Sequence, residues 1–413
     1  MKFATTIVIG AGQAGLALSK HLSDRSIDHV LLERGKVANS WATERWDSLR
    51  LLTPNWQSRL PGYSYAGNEP NGFMDMSQAT SYLTSYAKAI DAPIQDETRV
   101  ISVDRTLGGY VVTTTHDIWR CVKLVIASGA CNLASVPKFA DAFPNNITQL
   151  TPLDYKSPDQ LENGGVLVVG ASATGVQLAR EIQVSGRQVT LAAGEHVRMP
   201  RTYRGHDIQW WMEQTGILNV GYTEVDDITR ARKLPSMQLV GSNDTPILDI
   251  NALLTLSVEV TGRVAGLHGR RVQFSGSLAN VCSLADLKIN RLLVGIDQWI
   301  LDNGRGTGCQ PHHRFEPTTI DDAPRLDLDL SKGEVKTVIW ATGFRPDYSW
   351  LKVPVLDRKG RIKHDGGIVN APGMYVLGLP FLRKRKSTLI DGVGEDAEFV
   401  ANHLGAGLHS MVA

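Results

Sequence analysis

The sequence lacks an excess of charge of either sign. Its 413 residues carry 43 basic and 42 acidic side chains, which leaves a formal net charge of +1. Nucleic-acid-binding proteins usually have a clear basic excess that replaces counterions along the phosphates, and the only dense basic run here is the four-residue stretch 383–386. We therefore expect no nucleic-acid partner.

Long hydrophobic runs and signs of secretion are also missing. No apolar run approaches the roughly 18 residues that a membrane span requires, so we expect no membrane partner. The apolar stretch 3–17 is interrupted by glycines and has only Lys2 as a basic leader, which favours a strand and a helix over a signal sequence. The four cysteines contain no CxxC pair, which is typical of a reducing compartment and predicts a cytoplasmic protein.

A metal-ligating pattern is absent from the sequence as well. Cys309 lies close to His312 and His313 in a stretch rich in Gly and Pro. This set lacks a fourth ligand and any standard ligand spacing. We therefore expect no metal site.

Glycine, in contrast, is abundant, and one group of glycines follows a short strand pattern. The 39 glycines make up about 9% of the chain, against an average of about 7%. The β-branched run 5–9 ends at Gly10-Ala11-Gly12-Gln13-Ala14-Gly15 and continues at helical spacing, and a second apolar run, 29–32, ends at Glu33. This order of strand, glycine turn, helix, strand and acid is typical of a dinucleotide-binding βαβ unit.

The residue types of this first unit indicate which cofactor it holds. Gly10 permits the tight turn, Gly12 lets a pyrophosphate approach the backbone, and Gly15 lets the helix pack closely on the strand. The helix N-terminus offers free N–H groups to the phosphates. Glu33 is placed to accept hydrogen bonds from an adenosine ribose and would repel a 2′-phosphate. The first site is therefore expected to hold FAD or NAD, and not NADP.

A second unit of the same kind follows later in the chain. The apolar run 165–169 leads into Gly170-Ala171-Ser172-Ala173-Thr174-Gly175, and a helical pattern and the strand 189–191 come after it. Ser172 replaces the middle glycine of the turn, so the dinucleotide is expected to sit slightly further out. The position of Glu33 falls on Ala192 or Ala193, and the acid is gone.

Positive charge follows this second unit. His196, Arg198, Arg201 and Arg204 come directly after the strand, and such residues supply the charge that a 2′-phosphate needs. The second site is therefore expected to favour NADPH over NADH. The alternative for each single arginine is a solvated basic loop.

Two further segments, which are similar to each other, set the expected domain order. Ser128-Gly129 follows the apolar run 124–127, and Ala341-Thr342-Gly343 follows the run 338–340. With the two glycine units they predict an α/β fold with two Rossmann-like dinucleotide-binding domains of the three-layer ββα type. The NADPH-binding domain, 156–330, is expected to be inserted into the FAD-binding domain, which comprises 1–155 and 331–413.

Elements within the second domain are also predicted. Helical patterns cover 207–216, which contains Trp210 and Trp211, and 278–303. We expect the two tryptophans to pack in the core, and the alternative is that they stack on a substrate.

Two such sites in one chain predict a flavoenzyme that is reduced by NADPH. The cysteines nearest to each other in sequence are Cys121 and Cys131, whose spacing does not match a redox-active pair. A dithiol relay is therefore not expected, and electrons from the flavin must leave by another route.

Further motifs accompany the two glycine units, namely Ser40-Trp41, 45–54, 198–205, 341–347, 372–379 and 385–394. In this order they resemble the flavin-containing monooxygenases, the class B flavoprotein monooxygenases that include the plant auxin-synthesising enzymes. The resemblance covers nearly the whole chain, and the bacterial members of the family are the most similar. One departure concerns the family fingerprint before the second glycine unit, where Thr151 replaces the expected His and Asn145 the expected Phe, although Tyr155 fits the terminal aromatic. This departure weakens a Baeyer–Villiger assignment. Among these motifs, Ser40-Trp41 and 45–54 resemble the family's flavin-contacting loop, and we call residues 40–54 the flavin loop.

The resemblance implies an FAD-dependent, NADPH-driven monooxygenase. In such an enzyme one oxygen atom of O2 is inserted into a small organic substrate through a C4a-(hydro)peroxyflavin, by N- or S-oxygenation or by oxidation of a carbonyl compound. Asn55, just after the flavin loop, is a candidate catalytic hydrogen-bond donor, and polarity of the loop explains it equally well. The alternative function is an NAD(P)H-dependent flavoprotein reductase or electron carrier without oxygen insertion. A homodimer is compatible with the sequence.

The residues expected to bind FAD and NADPH lie in the glycine units, the flavin loop, the basic stretch and the late segments of the chain. They are Gly10, Gly12, Gln13, Ala14, Gly15, Glu33, Arg34, Ser40, Trp41, Arg50, Leu51, Thr53, Ser128, Gly129, Gly170, Ser172, Ala173, Thr174, Gly175, Arg198, Arg201, Arg204, Ala341, Thr342, Gly343, Gly378 and Asp391.

Overall fold

Two sheets with Rossmann-type parallel strands organise the chain. The computed structural model describes residues 1–245 and 247–412. Their strands, in chain order, are β1 (Thr6–Ile9), β2 (His29–Leu32), β3 (Ile94–Gln95), β4 (Lys123–Ile126), β5 (Thr148–Leu150), β6 (Gly165–Val169), β7 (Val189–Ala193), β8 (Glu259–Gly262), β9 (Val335–Trp340), β10 (His364–Asp365), β11 (Ile368–Val369) and β12 (Met374–Val376).

The first sheet has the strand order β10-β11-β12-β4-β1-β2-β3. Strands β12, β4, β1, β2 and β3 are parallel, whereas β10 and β11 add an antiparallel edge. All residues of β1, β2 and β4 are buried, as expected for parallel strands that are covered on both faces. Apart from Thr6, His29 and Lys123, their residues are apolar, which matches the buried position they occupy.

The second sheet is parallel throughout and has the order β5-β9-β6-β7-β8. Side chains of β6 alternate between two hydrophobic cores. Val166 and Val168 pack in one core, and Leu167 and Val169 in the other. This alternation is the period of two that a strand imposes, and it shows that both faces of the sheet are covered.

Helices cover these sheets. The helix after the first glycine turn packs against the last helix of the chain, and the helix after the second turn packs on β6 and β7. Both expected helices of the second domain are confirmed, and Trp211 is fully buried in a core formed with the long helix. The helices are α1 (Gln13–Ser23), α2 (Asn39–Thr43), α3 (Met76–Ala89), α4 (Ala173–Val184), α5 (Ile208–Gln214), α6 (Ile228–Ala231), α7 (Ile250–Thr255), α8 (Leu278–Asp302) and α9 (Val393–Val412).

Short strands complete the structure around the two main sheets. They form a four-stranded sheet of Lys2–Phe3, Ile118–Cys121, Gly109–Thr114 and Val100–Thr106, in which the first pair is parallel and the other two pairs are antiparallel. They also form a three-stranded sheet of Val264–His268, Arg271–Phe274 and Asp327–Asp329, and the pairs Arg59–Leu60 with Tyr63–Ser64, Leu133–Ala134 with Phe344–Arg345, Val197–Arg198 with Met237–Gln238, and Thr202–Tyr203 with His206–Asp207. Single 3-10 turns lie at Asn55–Gln57, Lys138–Ala142, Pro158–Gln160, Ile217–Asn219 and Leu330–Lys332.

The chain passes between the two sheets twice, and the two passages lie side by side. Leu133–Ala134 pairs in antiparallel orientation with Phe344–Arg345, and the N–H of Ser135 donates to the carbonyl of Gly343 at 2.9 Å. We call this two-stranded passage the linker ribbon. Strands β5 and β9 belong to the second sheet, so the change of sheet lies before residue 148 and after residue 340.

The predicted α/β fold with Rossmann-type sheets is confirmed. The insertion of one cofactor domain into the other, with boundaries at 155/156 and 330/331, stays a prediction. The membership of β5 and β9 in the second sheet widens that region on both sides.

The basic stretch 383–386 makes contacts within the chain. The N–H of Lys386 donates to the carbonyl of Leu218, and Lys384 forms an isolated bridge with Gly221. The guanidinium of Arg383 lies 3.8 Å from the ring centre of Phe399 on α9. This stretch therefore joins the tail of the chain to the turn after α5.

Candidate active site

The first glycine turn is shaped by close packing between backbone atoms. Gly10 has a φ of +109°, and a Cβ there would lie 2.6 Å from the carbonyl oxygen of Ala127 at the end of β4. A Cβ on Gly15 would collide with the carbonyl oxygen of Gly10, so only glycine lets α1 approach β1 this closely. At Gly12 nothing lies within 4 Å of an added Cβ. The turn is thus packed tightly beneath and open above the N-terminus of α1.

Glu33 holds this turn from the end of β2. Its carboxylate accepts a hydrogen bond from the N–H of Ala11 at 2.8 Å and one from the N–H of Gly35 at 3.3 Å. The residue is 7% exposed and borders the same cavity as Gly12. One carboxylate therefore both fixes the glycine turn and lines the space beside it.

A cavity of about 300 Å³ runs over the N-terminus of α1. The hydroxyl of Ser128 is buried with no hydrogen-bond partner among the described residues, and Gly129, with a φ of +84°, leaves its surroundings open. A narrow cavity with open glycines, helix N–H groups and an unpaired hydroxyl fits a dinucleotide. The predicted residues that line it are Gly10, Gly12, Gln13, Ala14, Glu33, Arg34, Ser40, Trp41, Ser128, Gly129 and Gly378.

Gln13 closes one end of this cavity. The indole N–H of Trp41 donates to its Oε1 at 3.1 Å, and its Nε2 donates to the carbonyl of Thr388 at 3.4 Å. Arg34, which also lines the cavity, donates to Ser40 at 3.0 Å and contacts Glu44. These side chains thus hold α2 and the tail of the chain against the glycine turn.

Cys131 lines the same cavity, and the sequence did not single it out as a site residue. Burial raises the pKa of its thiol, so the neutral form is favoured. Nothing in its sequence neighbourhood indicated this position.

Arg50, Leu51, Thr53 and Asp391, which were also predicted to bind a cofactor, are not among the residues that line this cavity. The backbone N–H of Leu51 donates to the carbonyl of Met74 at 2.8 Å, and Arg50 donates to the carbonyl of Phe73 at 3.0 Å. Thr53 is half-buried. Asp391 forms ion pairs with Arg59 and Lys386. These contacts tie the loop to its neighbours.

Both polar atoms of the Asn55 side chain are used within its loop. Its Nδ2 donates to the carbonyl of Glu69 at 2.9 Å, and its Oδ1 accepts from the N–H of Met74 at 2.9 Å. These contacts support the alternative in which this asparagine stabilises its loop, and its catalytic role stays a prediction.

The second glycine turn repeats the backbone of the first. Gly170 has a φ of +112°, and a Cβ on Gly175 would collide with its carbonyl oxygen. Ser172, the N-cap of α4, has φ and ψ of −77° and −176°, and Gly12 has −84° and −172° at the same position of α1. The hydroxyl of Ser172 makes no capping hydrogen bond. A serine side chain thus stands where the first turn is open.

Backbone hydrogen bonds decide which alanine replaces the acid. The N–H of Gly10 donates to the carbonyl of Leu32, and the N–H of Gly170 donates to that of Ala192, both at 2.9 Å. Ala192 is therefore the counterpart of Leu32. The next residue, Ala193, is the counterpart of Glu33.

The predicted residues of the late segment border this second turn. A Cβ on Gly170 would collide with the carbonyl oxygen of Ala341, and the hydroxyl of Thr342 donates to the carbonyl of Ser135 at 2.7 Å. Gly343 has a φ of +95°, and Ala173 and Thr174 form the first turn of α4. The residue after β9 therefore packs against the second glycine turn in the same way as the residue after β4 packs against the first.

The three arginines assigned to a 2′-phosphate are already paired. Arg198, 3% exposed, forms ion pairs with Asp249 at 2.6 Å and Asp286 at 2.8 Å. Arg201, 1% exposed, pairs with Asp207 at 2.8 Å. These carboxylates neutralise the guanidinium groups, which removes the physical basis for their assignment to a 2′-phosphate.

Arg204 and His196 are also poorly placed to bind a phosphate. Arg204 pairs with Asp297 at 3.0 Å and donates to the carbonyl of Gln310 at 2.9 Å. His196 is 2% exposed, and burial lowers its pKa, so it is expected to be neutral near pH 7. The solvated basic loop, which was the alternative, does not describe these residues either, because all but Arg204 are buried.

Three segments outside the two main sheets contact one another along a boundary that we call the seam, formed by residues 51–60, 199–213 and 237–241. Arg59 donates to Glu213 on α5 at 2.9 Å, and Arg201 donates to the carbonyl of Leu52 at 2.9 Å. Gln238 connects the seam to the second glycine turn, because its Nε2 donates to the carbonyl of Ala171 at 2.7 Å. The seam therefore extends from the flavin loop to the second turn.

Several buried polar atoms of the seam have no hydrogen-bond partner among the described residues. They include both amide atoms of Gln57, the hydroxyl of Ser58, and the Oε1 atoms of Gln209 and Gln238. A buried polar group without a partner costs about 1–3 kcal/mol, so such groups are typical of places that a ligand or water completes. Sequence reasoning missed these glutamines, because a glutamine carries no periodic or spacing signal.

A second cavity, of about 620 Å³, lies between the flavin loop and α4. Arg50, Arg180 and Glu181 are among its lining residues. Ser48 donates to Glu181 at 2.8 Å, and burial raises the pKa of that carboxyl. Its lining combines these charged side chains with the apolar side chains of Phe73, Val184 and Leu248.

The sequence predicts no membrane-spanning helix and no metal site, and residues 1–245 and 247–412 contain neither. None of the helices there is long and apolar enough to cross a membrane. Over the same residues, no group of three or more His, Cys, Asp or Glu side chains could hold a metal ion.

Comparisons with known proteins place the chain among flavoproteins. The family model described as pyridine nucleotide-disulphide oxidoreductase matches residues 7–215, about half of the chain. The chain is 30% identical over 404 residues to an uncharacterized oxidoreductase, CzcO-like, of Geobacillus kaustophilus, with 96% of this chain and 97% of that protein covered. It is 26% identical over 297 residues to indole-3-pyruvate monooxygenase YUCCA6 of Arabidopsis thaliana, with 65% and 71% covered.

A solved structure gives the same result for the fold. A flavin-containing monooxygenase from Stenotrophomonas maltophilia matches with a TM-score of 0.68 at 18% identity and covers 98% of this chain and 99% of its own. At this identity the match shows the fold alone. With the sequence relatives, it confirms the resemblance to flavin-containing monooxygenases that the motifs indicated.

Proposed function

Because the chain belongs to the pyridine nucleotide-disulphide oxidoreductase family and is a flavin-dependent oxidoreductase, we propose that it is an FAD-dependent, NADPH-driven monooxygenase. It would insert one oxygen atom of O2 into a small organic substrate. The observation that carries this proposal is the pair of equivalent glycine turns joined by a buried seam.

FAD is assigned to the first turn. The cavity there contains the open position above Gly12, the unpaired hydroxyl of Ser128 and the carboxylate of Glu33. The helix N–H groups of α1 would bind the pyrophosphate, and Glu33 would accept from the adenosine ribose while it keeps Ala11 in place. When bound, FAD would supply the electron transfer and the activation of O2.

NADPH is assigned to the second turn. Ala193 stands where Glu33 stands in the first unit, so no carboxylate repels a 2′-phosphate there. The amide of Gln238 holds the turn through the carbonyl of Ala171 and leaves its Oε1 free in the buried seam. This acceptor is suited to a donor such as a carboxamide N–H of the nucleotide.

The seam is the proposed place of reaction. It lies between the two turns, and its glutamines offer amide groups to polar edges of the cofactors or of the substrate. The side chains of Gln57, Gln209 and Gln238 are at most 2% exposed, so they are shielded from bulk solvent, and an enzyme that activates O2 requires such shielding. The substrate would be a small molecule with a nitrogen, sulfur or carbonyl group to oxidise.

The departure in the family fingerprint affects the choice among these groups. Thr151 folds into a turn after β5, where its hydroxyl donates to Asp154 at 2.7 Å. Threonine has no imidazole to offer at this position after β5. We therefore favour N- or S-oxygenation over Baeyer–Villiger oxidation.

Rapid mixing tests the proposal. The FAD-loaded protein is reduced with NADPH in the absence of O2, then mixed with O2 while the absorbance of the flavin is followed. A transient spectrum distinct from the oxidised and reduced forms, followed by an oxygenated product from a panel of amines and sulfides, is the expected result. Direct reoxidation at a rate that NADP does not change, with no product, would instead favour a reductase or electron carrier.

The cellular context is part of the same proposal. We place the enzyme in the cytoplasm, where its four cysteines, all free in the structure, would stay reduced. Gel filtration with light scattering distinguishes a monomer of 45.1 kDa from a homodimer.

A further inference from the structure

The carboxyl ends of β6, β7 and β8 meet at one edge of the second sheet. The three strands are parallel neighbours, with Val169 paired to Ala192 and Ala193 paired to Gly262. Neighbouring strands lie about 4.8 Å apart, so the residue after β8 is about 10 Å from the glycine turn after β6. That residue is Arg263, and it stands at the edge where open α/β sheets bind ligands.

The first sheet has an acid at the equivalent position. In the first unit Leu32 pairs with Gln95, and in the second Ala192 pairs with Thr261. Two residues beyond these partners come Glu97 in the first unit and Arg263 in the second.

The edge around the adenosine ribose therefore changes charge between the two units. The first unit carries the carboxylates of Glu33, Asp96 and Glu97, the last two paired with Lys36. At the equivalent places the second unit has Ala193, Gly262 and Arg263. Acids at this edge repel a 2′-phosphate, and a single arginine attracts it.

The surroundings of Arg263 leave its guanidinium available. The residue is exposed, and it has no ion-pair partner within 1–245 and 247–412. The nearest acid in the adjoining loop, Glu195, is paired with Lys288 at 2.9 Å. Gly194 lies beside it, since a Cβ there would be 3.6 Å from the Cβ of Arg263, so no side chain separates the arginine from the end of β7.

We propose that Arg263 binds the 2′-phosphate of NADPH and sets the preference of the second site for NADPH over NADH. This inference rests on the assignment of the nicotinamide nucleotide to the second glycine turn. The role that the sequence assigned to the arginines of the loop after β7 is thus assigned to one exposed arginine that follows the neighbouring strand β8. The backbone of Arg263 is fixed, because its carbonyl accepts from the N–H of Ser275 at 2.9 Å.

Binding of non-reactive probes tests this role apart from catalysis. Adenosine 2′,5′-bisphosphate and 5′-AMP are titrated calorimetrically into the FAD-loaded protein and into the variants R263A and R270A. Arg270, in the exposed turn before Arg271–Phe274, is a matched control that removes the same charge away from the strand ends. The wild type and R270A are expected to bind the bisphosphate at least about tenfold more tightly than 5′-AMP, since a charge-assisted hydrogen bond is lost in 5′-AMP.

In R263A this difference is expected to fall to within about twofold, while the affinity for 5′-AMP stays unchanged. A variant that keeps the full difference would overturn the role of Arg263 and leave the proposed NADPH site intact. A wild type that does not prefer the bisphosphate would overturn both the role of Arg263 and the preference for NADPH. The proposed monooxygenase reaction is judged separately by the rapid-mixing experiment.

The reverse substitution gives a second measure. A193E restores the acid of the first unit and is expected to weaken NADPH binding at least about tenfold relative to NADH. If A193E and R263A both leave the ratio of the two dissociation constants unchanged, the edge of β7 and β8 does not contact the 2′-phosphate.

Discussion

A methyl group at Gly12 should separate binding of FAD from folding of the protein. An added Cβ at this position has no protein atom within 4 Å, and the φ of −84° suits alanine. The loss of a favourable N-cap residue and the gain from a less flexible unfolded chain offset each other, so the apoprotein of G12A should keep its unfolding free energy within about 1 kcal/mol.

The same methyl group lies where the pyrophosphate must approach the N-terminus of α1. Displacing the phosphates weakens charge-assisted hydrogen bonds, each worth about 1.5–3 kcal/mol. The dissociation constant for FAD should therefore rise at least about tenfold, since about 1.4 kcal/mol corresponds to a factor of ten. Quenching of FAD fluorescence on titration into the apoprotein measures it, and thermal melts of the apoprotein measure folding.

Gly15 supplies the matched control. A Cβ there would collide with the carbonyl oxygen of Gly10, so G15A must push α1 away from β1 and should destabilise the apoprotein by about 3 kcal/mol or more. If G12A binds FAD as tightly as the wild type, or if it loses as much stability as G15A, the open space above the turn does not hold the pyrophosphate.

Three further predictions concern buried polar groups. Q57L removes an unpaired amide and should raise the melting temperature of the apoprotein while it weakens FAD binding; lower apoprotein stability would show that the amide has a partner within the chain. R198A leaves Asp249 and Asp286 without their cation and should cost about 3–5 kcal/mol of stability in denaturant melts, with R270A near the wild type and the ratio of NADPH to NADH affinity unchanged. Burial raises the pKa of Asp396 to about 6, above its usual 3.8, so its contribution to stability is present below pH 4 and lost as the pH rises through 6. D396N should therefore melt higher than the wild type at pH 7 to 8 and equally at pH 4, and equal melting at both pH values would contradict the raised pKa.

The glycine turns were predictable because their chemistry is local. A positive φ at Gly10 and Gly170 and the close approach at Gly15 and Gly175 require glycine, whatever surrounds them. The spacing to Glu33 was also sufficient, because strand and helix lengths in a βαβ unit vary little. The two glycine turns and Glu33 could therefore be located from the amino-acid sequence alone.

The ion pairs of the arginines after β7 could not be predicted from local sequence. Arg198 meets Asp249 and Asp286, which lie 51 and 88 residues further along the chain. A positive side chain after a strand has the same appearance in a sequence whether it faces a phosphate or a buried carboxylate. The distinction requires the pairing partner, which only the folded chain supplies.

The positions of Ala193 and Arg263 relative to the second glycine turn also required the pairing register of the strands. The choice between Ala192 and Ala193 depended on which carbonyl accepts from Gly170, and the position of Arg263 depended on the pairing of β7 with β8. Strand β5 has three residues, none of them buried, so its hydrophobic pattern is too weak to reveal its sheet from sequence.

The linker ribbon has a mechanical consequence. Two chain passages that are hydrogen-bonded side by side, with Leu133 opposite Arg345 and Ala134 opposite Phe344, resist twisting and sliding far more than they resist bending. We therefore expect the linker ribbon to act as a hinge, so that the two sheets rotate relative to each other mainly by bending of the ribbon. Each opening would then admit or release a nucleotide, and each closing would return the two glycine turns to the same mutual alignment.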